Sequence, residues 1–372
     1  MPGTEDHRRR RYSTALPCFS DLPHNSRIQK TKTTRGGPTA GKSSLHDRTD
    51  FRLGRIIRLL ADHATVVVSG TKLAAEIGSS RSEIWRLIQQ LRSLGVDIAG
   101  HPATGYQLRT VPDLLLPDMI APLVRGTIFS QHIHHYYKTG STNVVAMEAA
   151  NAGAPEGSVY LAEQQTAGRG RGGHSWHSAQ SDGIYCSAVL RPPVPPSEAL
   201  ILSLAAGLAV HEAIREIDPQ IKTDLKWPND LLVEGKKFCG ILIEMNAEAT
   251  RVRHLVVGIG INVNQTDFPA ELQPIATSLR LASGKLWSRV ELCAALLKSL
   301  DREYRELLQG NGRKATLERF VERSSSVRGR QVRIEENGGL QGTTAGLDGD
   351  GFLLVKSSQG IQKVLSGTVK LL

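Results

Sequence analysis

Ser158-Val-Tyr-Leu-Ala-Glu-Gln-Gln-Thr-Ala-Gly-Arg-Gly-Arg-Gly-Gly173 is the stretch on which the reading of this chain turns. Residues 158–163 are an apolar run of strand length. The polar segment Gln164-Gln-Thr-Ala167 follows, and then glycine and arginine alternate from Gly168 to Gly173. Glycine lets a backbone approach a ligand closely and tolerates positive φ. Arginine supplies planar, permanently charged forks that suit phosphate oxygens. Trp176 adds an aromatic face just downstream. An RGG-like RNA-binding tract has the same composition, although this one is short and lies between strands. Alone, the segment leaves nucleotide binding and RNA binding open.

Outward from it, residues 133–137, 184–190, 241–245 and 255–259 are further strand-length apolar runs. Residues 141–151 read as a helix capped by Ser141 or Thr142, 199–217 as a long helix with an apolar face, and 290–324 as largely helical. This predicts an α/β body over residues 125–324. Residues 326–372 differ: short strands at 327–334, 343–348, 351–356 and 361–365 are split by Gly-Gly and Asp-Gly turns. They predict a small SH3-like β-barrel.

Upstream, residues 112–122 are proline-punctuated and linker-like. Residues 51–112 read as helix, short Gly-containing turn, helix and hairpin, the winged helix-turn-helix pattern. Its third helix runs to Leu94, buries Ile84, Leu87, Ile88, Leu91 and Leu94, and is stopped by Gly95. Ser80 or Ser82 caps it. Ser80, Arg81, Ser82, Trp85, Arg86 and Gln89 lie off the apolar stripe and are candidate DNA contacts. Residues 1–50 show no period and read as a disordered basic extension. Gly36-Gly-Pro-Thr-Ala-Gly-Lys-Ser43 within them matches a P-loop pattern but lacks the strand before and the helix after that a P-loop needs.

The net charge of +10 is uneven. Residues 1–50 hold ten Lys or Arg against five acids, and residues 51–112 hold eight against four, so the remaining body is nearly neutral. That asymmetry suggests a nucleic-acid-facing front and a metabolite-facing body. Cys18, Cys186, Cys239 and Cys293 lie far apart with no C-x-x-C pair, which suggests neither a zinc site nor a disulfide framework. Reduced, cytoplasmic residence is the expectation. No apolar run approaches the roughly 18–20 residues of a membrane span, so no membrane partner is expected.

Two more segments carry chemistry. Lys226-Trp-Pro-Asn-Asp230 precedes a hairpin with its turn at Glu234-Gly235, which is expected to deliver Lys226 and Lys237 to one end of a sheet. Gly258-Ile-Gly-Ile-Asn262 lacks the third glycine of a dinucleotide fingerprint. Its small residues make room for a flat ligand or pack a central strand tightly, and Asn262 can hydrogen-bond. No Ser/His/Asp arrangement and no metal-ligand spacing stand out, so the site reads as built for phosphates and positioning.

Together these segments resemble the bifunctional biotin–protein ligase/biotin operon repressor family. The matching pieces are Ser141-Thr142-Asn143, Gln165 with 168–173 and Trp176, Lys226-Trp-Pro-Asn-Asp230, Lys237 with Gly240, and Gly258 to Asn262, over roughly residues 51–372. The resemblance implies an α+β chain: a winged helix, a class II tRNA-synthetase-like catalytic domain and an SH3-like domain. It implies that biotin and ATP, with Mg²⁺, give biotinyl-5′-AMP. A lysine of biotin carboxyl carrier protein would then take the biotinyl group. Ser141, Thr142, Asn143 and Gln165 would hold biotin, with Gly240, Gly258 and Gly260 lining its pocket. Arg169, Gly170 and Arg171 would close over the carboxylate and phosphate, with Lys237 at their junction, and Lys237, Arg169 and Arg171 would be the catalytic residues. Arg171, Trp176, Lys226, Asn229, Lys237 and Asn262 would meet the nucleotide. Operator DNA and an adenylate-induced homodimer are the further expected partners. His174 stands where some relatives have arginine. A lipoate or octanoate ligase on a related fold, or a non-catalytic sensor, are the alternatives.

Overall fold

The helix that opens the N-terminal unit begins further upstream than expected. In the computed structural model, which describes residues 45–63, 65–101, 103–110, 113–335, 339–365, 367 and 369–372, helix α1 spans Leu45–Ala61. The expected boundary after residue 50 therefore falls inside a helix. The P-loop match at 36–43 and the rest of the expected extension before residue 45 lie outside the described residues. Helices α2 (Gly70–Ile77) and α3 (Arg81–Ser93) follow, each entered through a serine. The Ser69 hydroxyl accepts from the Lys72 N–H and the Ser80 hydroxyl from the Glu83 N–H, which satisfies an orphan donor of each first turn. Strands β1 (Ile98–His101) and β2 (Gly105–Leu108) form the hairpin, and Val68 bridges to Tyr106 to tie it to the start of α2. Leu53, Ile56, Leu73, Ile84, Leu87 and Leu91 meet in a core separate from the rest.

The segment read as a linker is a packed seam. Leu114 and Leu116 enter the N-terminal core, whereas Leu115 between them enters the main core. Alternating side chains of one extended segment thus join the two units. Helix α4 (Pro117–Ile120) follows, with proline in its first turn where no N–H is needed.

The body contains β3 (Ile133–Tyr136), α5 (Thr142–Asn151), β4 (Val159–Ala162), β5 (Gly183–Leu190), α6 (Ala199–Ile217), β6 (Thr223–Lys226), β7 (Asp230–Val233), β8 (Lys236–Ala247), β9 (Val252–Asn262), α7 (Leu279–Ser283), α8 (Arg289–Leu307) and α9 (Gly312–Glu322). Its strands form one seven-stranded sheet in the order β3-β4-β5-β9-β8-β7-β6, with β3 and β4 parallel and the other pairs antiparallel. Strand β5 is buried along its length because it is covered on both faces. Ala188 and Leu190 join the main core with α6 and α8, and Val189 packs under Ala146 and Ala150 of α5. The helical stretch Pro196–Ile217, 22 residues whose most apolar 18-residue window has a mean hydropathy of 1.4, is by length and composition long and apolar enough to cross a membrane, contrary to the expectation from sequence. Its most apolar window is 72% buried inside the fold, where α6 packs on α8, α9 and the sheet.

Strands β10 (Arg328–Ile334), β11 (Leu340–Leu347), β12 (Leu353–Ser357), β13 (Gly360–Val364) and β14 (Val369–Leu371) form an SH3-like antiparallel unit in the order β13-β12-β11-β10-β14. The sequence reading found four of these strands and missed β14. Val332, Ile334, Leu353 and Val355 belong to the same core as α6 and α8. The expected division near residue 325 therefore separates segments of sequence and not cores.

Candidate active site

The N-terminus of α5 faces the middle of the sheet, and there a closed set of polar groups meets. The Gln165 amide oxygen accepts from the Thr142 N–H at 2.9 Å and hydroxyl at 3.1 Å, and its NH₂ donates to Ser178 Oγ at 2.9 Å. Ser187 Oγ lies 2.8 Å from Thr142 Oγ1 and 2.6 Å from Asn143 Oδ1. The Asn143 NH₂ donates to Glu244 at 2.9 Å. Ser141 occupies the N-cap position of α5 but makes no cap bond with its side chain, contrary to expectation, and it lines the pocket instead. Ser187 and Glu244 were missed as site residues. Their signal was present: Ser187 is the hydroxyl inside an otherwise apolar strand, and Glu244 ends the run Gly240-Ile-Leu-Ile.

The Gly-Arg segment doubles back on itself. Trp176 N–H donates to Gly168 O at 2.9 Å, Gly170 N–H to His174 O at 2.7 Å, and Arg169 bridges to Ser175. The turn at its tip is possible because Gly172 and Gly173 have φ of 67° and 81°. Arg169 pairs with Glu244 at 3.4 Å, and Arg171 donates to Gly367 O of the C-terminal unit at 3.4 Å. His174 is exposed and is not among the pocket-lining residues.

The glycines of β8 and β9 make room for the protein's own flat group. Gly240 and Gly260 are register partners across the two strands. A Cβ on Gly260 would lie 2.5 Å from the Trp176 ring, and one on Gly240 would lie 2.9 Å from it. A Cβ on Gly258 would lie 2.1 Å from Asn143 Oδ1. The indole therefore rests against bare backbone. The indole N–H is buried without a partner among the described residues, a donor left unused at the edge of the site.

Lys237 completes the wall. Its Nζ is 2.6 Å from Asp230 Oδ1 and 5.5 Å from the centre of the Trp176 ring, a salt bridge and a cation–π contact on one cation. Its backbone is pinned between Ile275 and Thr277 by bonds of 2.8 and 2.9 Å. Asn229 reaches the pocket while its side chain and backbone carbonyl both bond Ile241. The Trp227-Pro228 peptide bond is cis, and the buried Trp227 N–H donates to Gly351 O at 2.9 Å, so the C-terminal unit grips this turn. Ser141, Thr142, Asn143, Gln165, Arg169, Gly170, Arg171, Trp176, Asn229, Lys237, Gly240, Gly258 and Gly260 line a single pocket together with Tyr185 and Cys186. Lys226 and Asn262 do not line it. Lys226 sits opposite Asp230 on edge strand β6, two residues out of step with Lys237, which faces Leu232. The expected hairpin is present, but it brings only Lys237 to the pocket. Asn262 is buried and donates to Thr277 O. Burial alone pushes the Cys186 thiol up to about 12, which makes it an inert wall. Among the described residues no group of three or more His, Cys, Asp or Glu could hold a metal ion.

Behind the pocket lies a buried charge cluster. Arg289 and Glu163 are fully buried and 2.8 Å apart, and Arg289 also holds Asp113 through its Nε and backbone N–H. The Glu163 carboxylate accepts from Leu115 N–H at 2.8 Å and lies 3.2 Å from His135 Nε2. Burial would raise its pKa. The Arg289 charge, the His135 bond and the Leu115 N–H outweigh that and bring it down to about 2. The cluster joins the seam at 113–116 to the strand that leads to Gln165.

A family model described as the biotin/lipoate A/B protein ligase family matches residues 137–262, an HTH domain matches 52–107, and a biotin protein ligase C-terminal domain matches 328–372. The bifunctional ligase/repressor BirA of Bacillus subtilis is 37% identical over 319 residues, 85% of this chain and 97% of that protein. A biotin–[acetyl-CoA-carboxylase] ligase of Mycobacterium tuberculosis is 37% identical over 222 residues, 58% of this chain and 80% of that one. The biotin protein ligase of Aquifex aeolicus, solved in complex with biotin and ATP, superposes with a TM-score of 0.56 at 32% identity, covering 65% of this chain and 98% of that one. From the pocket, the three matched segments and a relative that spans nearly the whole described chain, it follows that this chain belongs to the biotin protein ligase family, among its BirA-type ligase/repressors.

Proposed function

We propose that the chain activates biotin with ATP as biotinyl-5′-AMP, passes the biotinyl group to a lysine of biotin carboxyl carrier protein, and represses biotin genes through its winged helix. The observation that carries the ligase reading is the placement of Lys237, Arg169 and Arg171 around one pocket whose other end is a closed polar set. Thr142, Asn143 and Gln165, braced by Ser187 and Glu244, offer converging donors and acceptors for a ureido ring. A fatty-acyl chain has no such groups, so this end favours biotin over lipoate or octanoate. Ser141 completes the rim, and Gly240, Gly258 and Gly260 keep the floor at backbone level.

Both substrates bring their own reactive groups. A biotin carboxylate oxygen attacks the α-phosphorus and pyrophosphate leaves, so the protein's task is to hold cations against charge as it moves. Lys237 leaves Asp230 for the carboxylate–phosphate junction. Arg169 and Arg171 bring the Gly-Arg loop over it and exclude water from the mixed anhydride. Trp176 and Asn229 meet the adenylate. Lys226, outside the pocket rim, is the candidate cation for the departing phosphates, and Asn262 supports the strand from behind. The site offers only scattered carboxylates, so Mg²⁺ would be held chiefly by triphosphate oxygens and water, where it neutralises phosphate charge. Two such chains would pair on operator DNA. We place the reaction in the cytoplasm.

The test is biotin-dependent exchange of labelled pyrophosphate into ATP. It should be present in the wild type and fall by about 10²–10³-fold in Lys237→Ala, the usual effect of losing one preorganised charge-stabilising group. Exchange that ignores biotin, or near-normal exchange in the variant, refutes the assignment.

A further inference from the structure

The six residues of α3 expected to face DNA divide into two sets. Ser80 caps the helix and lies 2.9 Å from Ser82 Oγ. Arg86 is held by a two-point pair with Glu83, Nε to Oε2 at 2.9 Å and Nη2 to Oε1 at 2.7 Å, and Arg52 approaches the same carboxylate at 3.9 Å. These side chains are occupied by the helix's own first turn. Arg81, Trp85 and Gln89 remain, and among the described residues their side chains have no hydrogen-bond partner. Steps of four residues place them in one stripe along α3, away from the buried Ile84, Leu87, Ile88 and Leu91.

Trp85 stands out chemically. The residue is 58% exposed, and it is the one exposed tryptophan of the four. It stands between a guanidinium and a carboxamide on a unit with eight Lys or Arg against four acids over residues 51–112. A wide exposed ring inside a cationic face fits a partner that is anionic at its rim and apolar at points within. The major groove of duplex DNA has that character: phosphates flank base edges, and each thymine projects a methyl group.

We propose that Arg81, Trp85 and Gln89 are the base-reading stripe of α3, that Trp85 reads thymine through its 5-methyl group, and that Arg86 shapes the helix without touching DNA. Arg81 suits guanine N7 and O6, and Gln89 suits adenine N6 and N7. The stripe thus reads a guanine, a thymine and an adenine in each half-site. This rests on the repressor reading above.

The test uses the full chain with biotin and ATP and a random duplex library of about 40 base pairs, room for two half-sites. The most enriched duplex is remade with uracil in place of single thymines, which deletes one methyl and keeps the pairing. One thymine per half-site should matter, and its replacement should weaken wild-type binding about fourfold per methyl. Trp85→Ala should bind both duplexes equally, with an unchanged melting temperature because the ring is exposed, whereas Trp85→Phe should keep part of the preference. Arg81→Gln should lose about tenfold or more, and Arg86→Gln should stay within about twofold, as a non-contacting surface change does. A wild type indifferent to every uracil, or Trp85→Ala that still discriminates, overturns the role of Trp85. Arg86→Gln losing as much as Arg81→Gln overturns the stripe. Failure of any duplex to enrich overturns the repressor reading itself, and the stripe with it.

Discussion

Glu163→Gln keeps the shape of a fully buried side chain and removes its charge. Glutamine Oε1 can still accept from Leu115 N–H, so the backbone bond of the seam survives. What is lost is the counter-charge of Arg289, 2.8 Å away and 1% exposed, which would be left with Asp113, whose side chain is 37% exposed. The depression of the Glu163 pKa from 4.5 to about 2 corresponds to about 3 kcal/mol at 1.36 kcal/mol per pKa unit. Breaking a buried pair from one side costs about 3–5 kcal/mol in general, which agrees. The sign follows from the direction. The folded state holds Glu163 ionised more firmly than the unfolded chain, so its contribution is complete above the unfolded pKa of 4.5 and is lost as pH falls toward about 2. Urea unfolding at pH 7 should therefore show Glu163→Gln less stable by about 3 kcal/mol, with the gap to wild type closing progressively below pH 4.5. A loss under about 1 kcal/mol, typical of an exposed pair, or a gap independent of pH, would refute the reasoning.

Three further outcomes follow from the packing. Gly258→Ala puts a Cβ 2.1 Å from Asn143 Oδ1 and must displace the amide from Ser187 and Glu244. Calorimetry should show biotin binding weakened by about 10- to 30-fold, two hydrogen bonds at about 1 kcal/mol each, and unchanged affinity would mean that Asn143 is not a ligand. Trp227→Phe strands the Gly351 carbonyl and should cost about 1–3 kcal/mol. It should lower the adenylation kcat while sparing the Kd for biotin, because Asn229 and Asp230 sit on that turn; a Kd that moves instead of kcat would contradict this. Cys186, Cys239 and Cys293 are buried with thiols pushed up by burial, so iodoacetamide at pH 7.5 should leave all three unmodified until urea is added. Mass spectrometry showing native labelling at Cys186 would mean that the pocket wall opens.

Much of the molecule was legible because its determinants are local. The bounds of α6 agree with the expected 199–217, since a long apolar helical repeat after a proline loop admits few other readings. Helices α2 and α3 and their hairpin follow from serine caps and glycine turns within a few residues of each other. The pocket walls at 141–143, 165–176 and 237–260 were nameable because each motif is a contiguous string whose chemistry matches its spacing.

What the sequence by itself determined was therefore the order of units, the elements and the chemical character of each wall. Tertiary structure alone decided which groups meet. Arg289 and Glu163 are 126 residues apart, and Trp227 and Gly351 are 124 apart. Sheet register stacks Gly240 beside Gly260 and lays Trp176 over them. It also leaves Lys226 outside while Lys237 faces in. Leu114, Leu115 and Leu116 read as a linker because their burial comes from two different partners and has no local period. A pattern within a few residues records backbone preference and one buried face, whereas contacts between distant segments depend on how strands align and layers pack, and no short stretch of chain carries that information.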